Sequence, residues 1–240
     1  MFNWQAATPR RVLYVDGEMP LAAMQERIAR QVEAADVDIA DPDFFRLITP
    51  DLQPDFVMPN LASPEGQQRL EPYLQGVELL IIDNLSTLCR TGGANNEDYW
   101  TGVQNWILSL RRRKISVLLV HHASKNGSQR GTIAKEDVLD TVIKLARPSD
   151  YEPEQGARFA VSLTKARGVC GSDVEPFEAT LLDGCRWQVR PIDDVLLDQI
   201  RDLAAADMTQ REIAEELGAS RSTVNRLCKT HGISTKGGKR

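Results

Sequence analysis

Three apolar runs in this 240-residue chain are each cut short by polar or ionisable groups. Glu78-Leu79-Leu80-Ile81-Ile82-Asp83-Asn84 sets a carboxylate directly after four large apolar residues. Arg11-Val12-Leu13-Tyr14-Val15-Asp16 is closed by Gly17-Glu18, and Ile115 to Val120 ends in His121-His122. Such runs read as parallel strands buried on both faces. In an open α/β sheet, ligands bind in the crevice at the carboxyl ends of the strands. If the three strands are neighbours, Glu18, Asp83 and the histidine pair share that crevice. One carboxylate able to hold Mg²⁺ through water, and one able to orient a water nucleophile, suit phosphoryl transfer. A histidine could then contact the terminal phosphate. The competing reading of Asp83 is a turn or helix-capping aspartate, because Asn84-Leu85-Ser86 follows it. The competing reading of the histidine pair is a metal site, but no third ligand stands at an obvious spacing.

The elements that must position these groups are legible in outline. Leu21, Met24, Ile28 and Val32 recur at helical spacing after Pro20, which suits a first helical turn. A short strand is expected at Phe44 to Ile48, a helix around Glu65 to Gln75, and a helix capped by Asn95 or Asn96 that runs to about Lys114. Its basic end, Arg111-Arg112-Arg113-Lys114, reads as dipole complementation before it reads as a nucleic-acid contact. Asp140 to Ala146, Arg158 to Thr164, Phe177 to Leu181 and Arg186 to Val189 read as hairpin-forming strands, and Ala123 to Lys135 as a mobile polar loop. The fold class expected is α/β: a mostly parallel sheet extended by β-hairpins, then a small all-α domain beginning after Pro191.

Composition narrows the function classes. Apolar content of 42%, charged content of 26% and a net charge of −5 are those of a globular protein without an overall basic coat. The four cysteines form no CxxC pair, which fits reduced thiols. No apolar run approaches a membrane span and residues 1–11 lack a signal-peptide core, so a cytoplasmic location is expected. Charge is uneven, however. Residues 221–240 carry six basic and no acidic side chains, whereas residues 191–217 carry eight acidic and two basic. That asymmetry points to an anion, and to nucleic acid first, at the C-terminal end.

The segments Val12 to Glu18, Leu79 to Asn84 and Val120 to Lys125 together resemble the RecA-like P-loop ATPases of the plasmid-replication RepA type, with DnaB-like and KaiC-like relatives. Arg130-Gly131-Thr132, Glu136-Asp137 and Asp140 to Ile143 add to the resemblance, which spans roughly residues 10–185. It implies that Glu18 polarises the attacking water and that Asp83 is the Walker B aspartate near Mg²⁺. It also implies that His122, or His121, is the strand-end sensor. Lys165 and Arg167 match a Lys-x-Arg pair that such rings insert into the neighbouring subunit's nucleotide, and cations supplied in this way stabilise charge on a transferring phosphoryl group. The competing reading of that pair is an exposed strand end. ATP and Mg²⁺ are the implied cofactors, and a homo-oligomeric ring such as a hexamer the implied assembly.

The resemblance fails in one place. No Gly-x-x-x-x-Gly-Lys-Ser/Thr occurs in the 240 residues. Gly237-Gly238-Lys239-Arg240 is only a superficial echo. Without a backbone nest and its lysine, ATP phosphates lose their main binding determinants. The expectation is a core lacking its first strand, phosphate cradle and following helix, as in a fragment or a misplaced start. Such a chain would bind ATP weakly and expose strand edges.

Thr209 and Glu212 form a capping box, Gly218-Ala219-Ser220 makes a turn with a capping serine, and Arg221 to His231 is a further helix. With Ile192 to Ala205 as a first helix, these resemble a helix-turn-helix of the resolvase or transposase type. In that motif the second helix enters the major groove. Arg221, Ser222, Thr223 and Asn225 are then candidate base readers, and Arg226, Lys229, Lys236 and Lys239 phosphate contacts. A small helical interaction module is the bland alternative.

The expected organisation is a RecA-like core over residues 1–190 and a DNA-binding domain over residues 191–240. The expected function is a DNA-associated ATPase of replication or helicase type. The rival is a non-catalytic DNA-binding regulator whose α/β part only oligomerises.

Overall fold

The computed structural model describes residues 4, 7–35, 41–90, 96–122 and 137–237, with the side chains of 96–99 excepted. The expected cap Asn95, the segment 123–135 expected as a mobile loop, and Lys239 lie outside the described residues. The chain divides into two compact units, residues 5–139 and residues 1–4 with 140–240.

In the first unit, β1 (Val12–Asp16), α1 (Leu21–Ala35), β2 (Phe45–Ile48), α2 (Pro64–Leu70), β3 (Leu79–Asp83), α3 (Leu85–Leu88), α4 (Asn96–Arg112) and β4 (Ser116–Leu119) follow in order. The strands form one parallel sheet in the order β2-β1-β3-β4. Leu13 and Val15 of β1 and Leu80 and Ile82 of β3 are fully buried, in one core with Leu70, Leu74, Val103, Ile107 and Leu110. The alternate residues Val12, Tyr14, Leu79 and Ile81 are only half-buried, and Leu118 of β4 is exposed. The expectation of strands buried on both faces therefore holds for one face. The period-2 alternation of side chains sends every second residue to the other side, away from this core.

Local chemistry sets the element ends. Pro20 precedes α1, where its fixed φ suits helix entry, and Asp51 caps the helix from a distance by accepting from Leu21 N at 2.7 Å. Ser63 caps α2 through Gly66 N at 3.2 Å. Gly66 is required by contact: a Cβ there would lie 1.9 Å from the Asn60 carbonyl oxygen. Beyond the basic end of α4, Arg113 pairs with Glu71 at 2.7 Å, a local structural use of that charge.

In the second unit, β5 (Thr141–Ala146), β6 (Arg158–Ala166), β7 (Phe177–Leu182) and β8 (Arg186–Pro191) form an antiparallel sheet in chain order. Val161, Phe177 and Ala179 make its small core, with Trp4 packed edge-on against Phe177 at 5.6 Å. Arg158 and Glu178 are buried together at 2.9 Å. Such a pair survives burial only where hydrogen bonds satisfy both ions, and Arg158 also reaches Asp150 and Gln155. Pro191 ends β8 and Ile192 opens α5 (Ile192–Ala205) directly, so no linker separates them. The helices α6 (Gln210–Glu216) and α7 (Arg221–His231) complete the unit.

Candidate functional site

The register aligns Asp16 with Asp83 across β1 and β3, with β4 on the far side of β3. Backbone hydrogen bonds carry this alignment past the strand ends. Gly17 N donates to Asp83 O at 2.7 Å, Val120 N to Ile82 O at 2.9 Å, and Leu85 N to Val120 O at 3.0 Å. Parallel order and continued pairing therefore bring Glu18, Asn84 and His122 to one place. Asn84 Nδ2 lies 2.9 Å from Glu18 Oε1 and 3.0 Å from His122 Nε2. His122 Nε2 is 3.8 Å from Glu18 Oε2. Glu18 and His122 keep side-chain exposures of 47% and 68%, whereas Asn84 is 1% exposed. Two reactive groups face solvent over a buried amide.

Asp83 stands at the same strand end, but its carboxylate accepts a hydrogen bond from the Tyr14 hydroxyl on the neighbouring strand. Burial, then that bond and the charge of Asp83, hold the Tyr14 phenol well above its ordinary range. The capping role open to Asp83 belongs to Asn84, whose Oδ1 accepts from Ser86 N at 2.9 Å and Thr87 N at 3.3 Å at the start of α3. Asp16, 1% exposed, plays the turn role: its carboxylate accepts from Glu18 N at 2.9 Å and from Met19 N at 3.0 Å. That bond fixes the backbone that presents Glu18. Gly17 between them lies so close to α3 that a Cβ would meet Thr87 Oγ1 at 2.3 Å.

Asn84, Asp16 and Tyr14 have no assigned role in the sequence reading. The signal for Asp16 and Asn84 was present, since both are polar residues at the ends of the apolar runs that flag the site. Tyr14 gave none, because a strand tyrosine reads as core. His121 is half-buried beside the exposed His122. Lys165 lies in β6, and Arg167 follows its last residue, Ala166, in a turn. Arg167 N donates to Asp140 O at 2.8 Å, and its guanidinium is 3.9 Å from the Asp140 carboxylate. Both residues belong to the second unit, whereas Glu18, Asp83 and His122 belong to the first.

Among the described residues, no group of three or more His, Cys, Asp and Glu side chains forms a metal cage. A Mg²⁺ ion held largely through its own waters needs only one or two carboxylates, and the Asp83 carboxylate at this strand end has one oxygen engaged by the Tyr14 hydroxyl. The 240 residues hold no Gly-x-x-x-x-Gly-Lys-Ser/Thr segment of the kind that cradles nucleotide phosphates.

The helical end of the second unit carries a separate site. Thr209 caps α6 by accepting from Glu212 N at 3.3 Å, while Glu212 accepts from Thr209 N at 2.8 Å. The bond from the Thr209 backbone N–H foremost, and then one from the Thr209 hydroxyl, hold the Glu212 carboxyl below its ordinary range. Ile200, Ile213, Ala214, Val224, Leu227 and Cys228 bury one core for α5, α6 and α7, and burial pushes the Cys228 thiol up. The turn between α6 and α7 passes through Gly218 at φ +60°, a conformation glycine adopts without steric cost. Arg221, Asn225 and Lys229 are exposed on α7, as are Ser222 and Arg226. Four of the expected DNA contacts are already engaged. The hydroxyls of Ser222 and Thr223 lie 2.7 and 2.8 Å from that of the capping Ser220. Arg226 pairs with Asp193 at 2.8 Å. Lys236 likewise pairs with Asp207 at 3.1 Å.

Comparison with known proteins bears on both units. Residues 196–230 match a winged helix-turn-helix DNA-binding family. No curated protein matches the chain. A KaiC-like protein from the hyperthermophilic archaeon Pyrococcus horikoshii OT3 superposes with a TM-score of 0.52 at 13% identity, covering 76% of this chain and 77% of that one. The flagellar accessory protein FlaH of Methanocaldococcus jannaschii gives 0.46 at 10% identity, over 75% and 76%. The likeness to the KaiC-like protein agrees with a RecA-like fold, which the parallel sheet and its helices display. An AAA domain family matches residues 2–128, more than half of the length, and the chain belongs to that family.

Proposed function

We propose that this protein is a DNA-associated, RecA/RepA-like ATPase of the replication or helicase type. The observation that carries the reading is the convergence of Glu18 and His122 on Asn84 at the carboxyl ends of adjacent parallel strands, beside Asp83. Glu18 is the group that accepts a proton from, and orients, the attacking water. His122, with His121 behind it, senses the terminal phosphate. Asp83 holds the hydrated Mg²⁺ that would offset phosphate charge when nucleotide is bound. Lys165 and Arg167 act in trans on a neighbour's nucleotide in a homo-oligomeric ring, and α7 carries DNA in its exposed basic face. A cytoplasmic location accompanies this reading.

Because the phosphate cradle is missing from these 240 residues, the chain by itself binds ATP weakly. That absence also favours a second reading, a non-catalytic DNA-binding regulator whose α/β part only oligomerises. Titration of a fluorescent ATP analogue with Mg²⁺, and phosphate release with and without DNA, separate the two. The ATPase reading expects weak but measurable Mg²⁺-dependent turnover that Glu18→Gln lowers by about 10²-fold or more, in the range of a lost general base. Turnover unaffected by Glu18→Gln contradicts the role of Glu18. DNA binding with no turnover at any nucleotide concentration favours the regulator. A micromolar ATP affinity would contradict the inference of a missing cradle.

A further inference from the structure

We propose that Asn84 is the positioning residue of the strand-tip site, fixing the Glu18 carboxylate and the tautomer of His122 with one amide group. The proposal rests on the reading of Glu18 and His122 as the reacting groups, but its geometry stands apart from any nucleotide. The two ends of an asparagine amide are assigned from the hydrogen-bond network. Here the network leaves one choice. Ser86 N and Thr87 N are both donors aimed at one end, so that end is the oxygen. The NH₂ end therefore faces Glu18 Oε1 at 2.9 Å and His122 Nε2 at 3.0 Å, with one hydrogen for each. A donor pointed at Nε2 requires a lone pair there, so neutral His122 carries its proton on Nδ1.

Burial makes this arrangement stiff. Asn84 is 1% exposed, and an amide hydrogen left unmatched in such a place is costly. Its oxygen is anchored to the first turn of α3 and its backbone follows β3, so the NH₂ group cannot turn away without losing the cap. Glu18 Oε2 and His122 Nε2 lie 3.8 Å apart, beyond hydrogen-bond distance. Each is thus held for an incoming group and not consumed by the other.

The test uses the full chain, labelled with ¹⁵N and free of nucleotide, in long-range ¹H–¹⁵N correlation spectroscopy of its three histidines. His122→Gln assigns the His122 signals. The expected result is a pyrrole-like Nδ1 and a pyridine-like Nε2 for neutral His122. Asn84→Asp keeps the size and the cap but replaces the donor by an acceptor, and should move the ring proton to Nε2. A wild-type His122 protonated on Nε2, or a tautomer unchanged in Asn84→Asp, overturns the proposal. The wild-type spectrum alone decides if that variant fails to fold. If the tautomer switches as expected while Glu18→Gln leaves turnover unchanged, Asn84 keeps its positioning role and the functional reading is what falls.

Discussion

At the scale of single residues, the site depends on close approaches that leave little tolerance. Gly17→Ala would drive a Cβ into Thr87, so the turn that presents Glu18 must shift. Turnover should fall in that variant with the fold retained, and circular dichroism beside a phosphate-release assay checks both. Gly66→Ala should be far worse, because the clash is with backbone that cannot rotate aside; loss of soluble protein or a strongly lowered melting temperature is expected. The residues that end the strands were legible from the sequence because apolar runs rarely stop abruptly on a carboxylate or an imidazole. The role of Asn84 was not. The capping alternative is read at Asp83, whereas Asn84 is the cap, and only the fold shows what the other end of its amide touches. Asp83 illustrates the reverse, since its position was legible but its bond to Tyr14 depends on which strand lies beside it.

At the scale of elements, the parallel sheet stands on one well-filled face. Leu80 is fully buried there, and Leu80→Ala should cost about 2–5 kcal/mol in chemical denaturation. Continuous apolar runs indicate strands buried on both faces and not one filled face, because filling depends on where α2 and α4 pack. The capping box of α6 was fully legible, being a local pattern, and it makes a pH prediction. The folded Glu212 carboxyl titrates below its unfolded value. Its contribution is therefore present above the unfolded pKa and is lost as pH falls through the lower, folded one. Thermal unfolding of the full chain should show destabilisation on acidification below about pH 4.5, the ordinary glutamate value. Glu212→Gln should reduce that acid dependence, and an unchanged profile would refute the capping role.

At the scale of the whole molecule, an AAA-family unit and a helix-turn-helix share one chain, and the two carry opposite halves of the proposed function. The basic face of α7 meets competition from the chain's own acids, as Arg226 bonded to Asp193 shows. Arg221→Ala should weaken DNA binding and lower the salt slope by about one. Asp193→Asn, which releases Arg226, should strengthen binding at low salt; fluorescence anisotropy across a salt series reads both. The central claim is that three strand tips deliver Glu18, Asn84 and His122 to a single crevice. Its most direct test is nuclear Overhauser spectroscopy on the isotopically labelled chain in solution. Cross-peaks from the Asn84 side-chain amide hydrogens to side-chain hydrogens of both Glu18 and His122 are expected. A spectrum in which that amide sees the α3 backbone but neither partner would contradict the account.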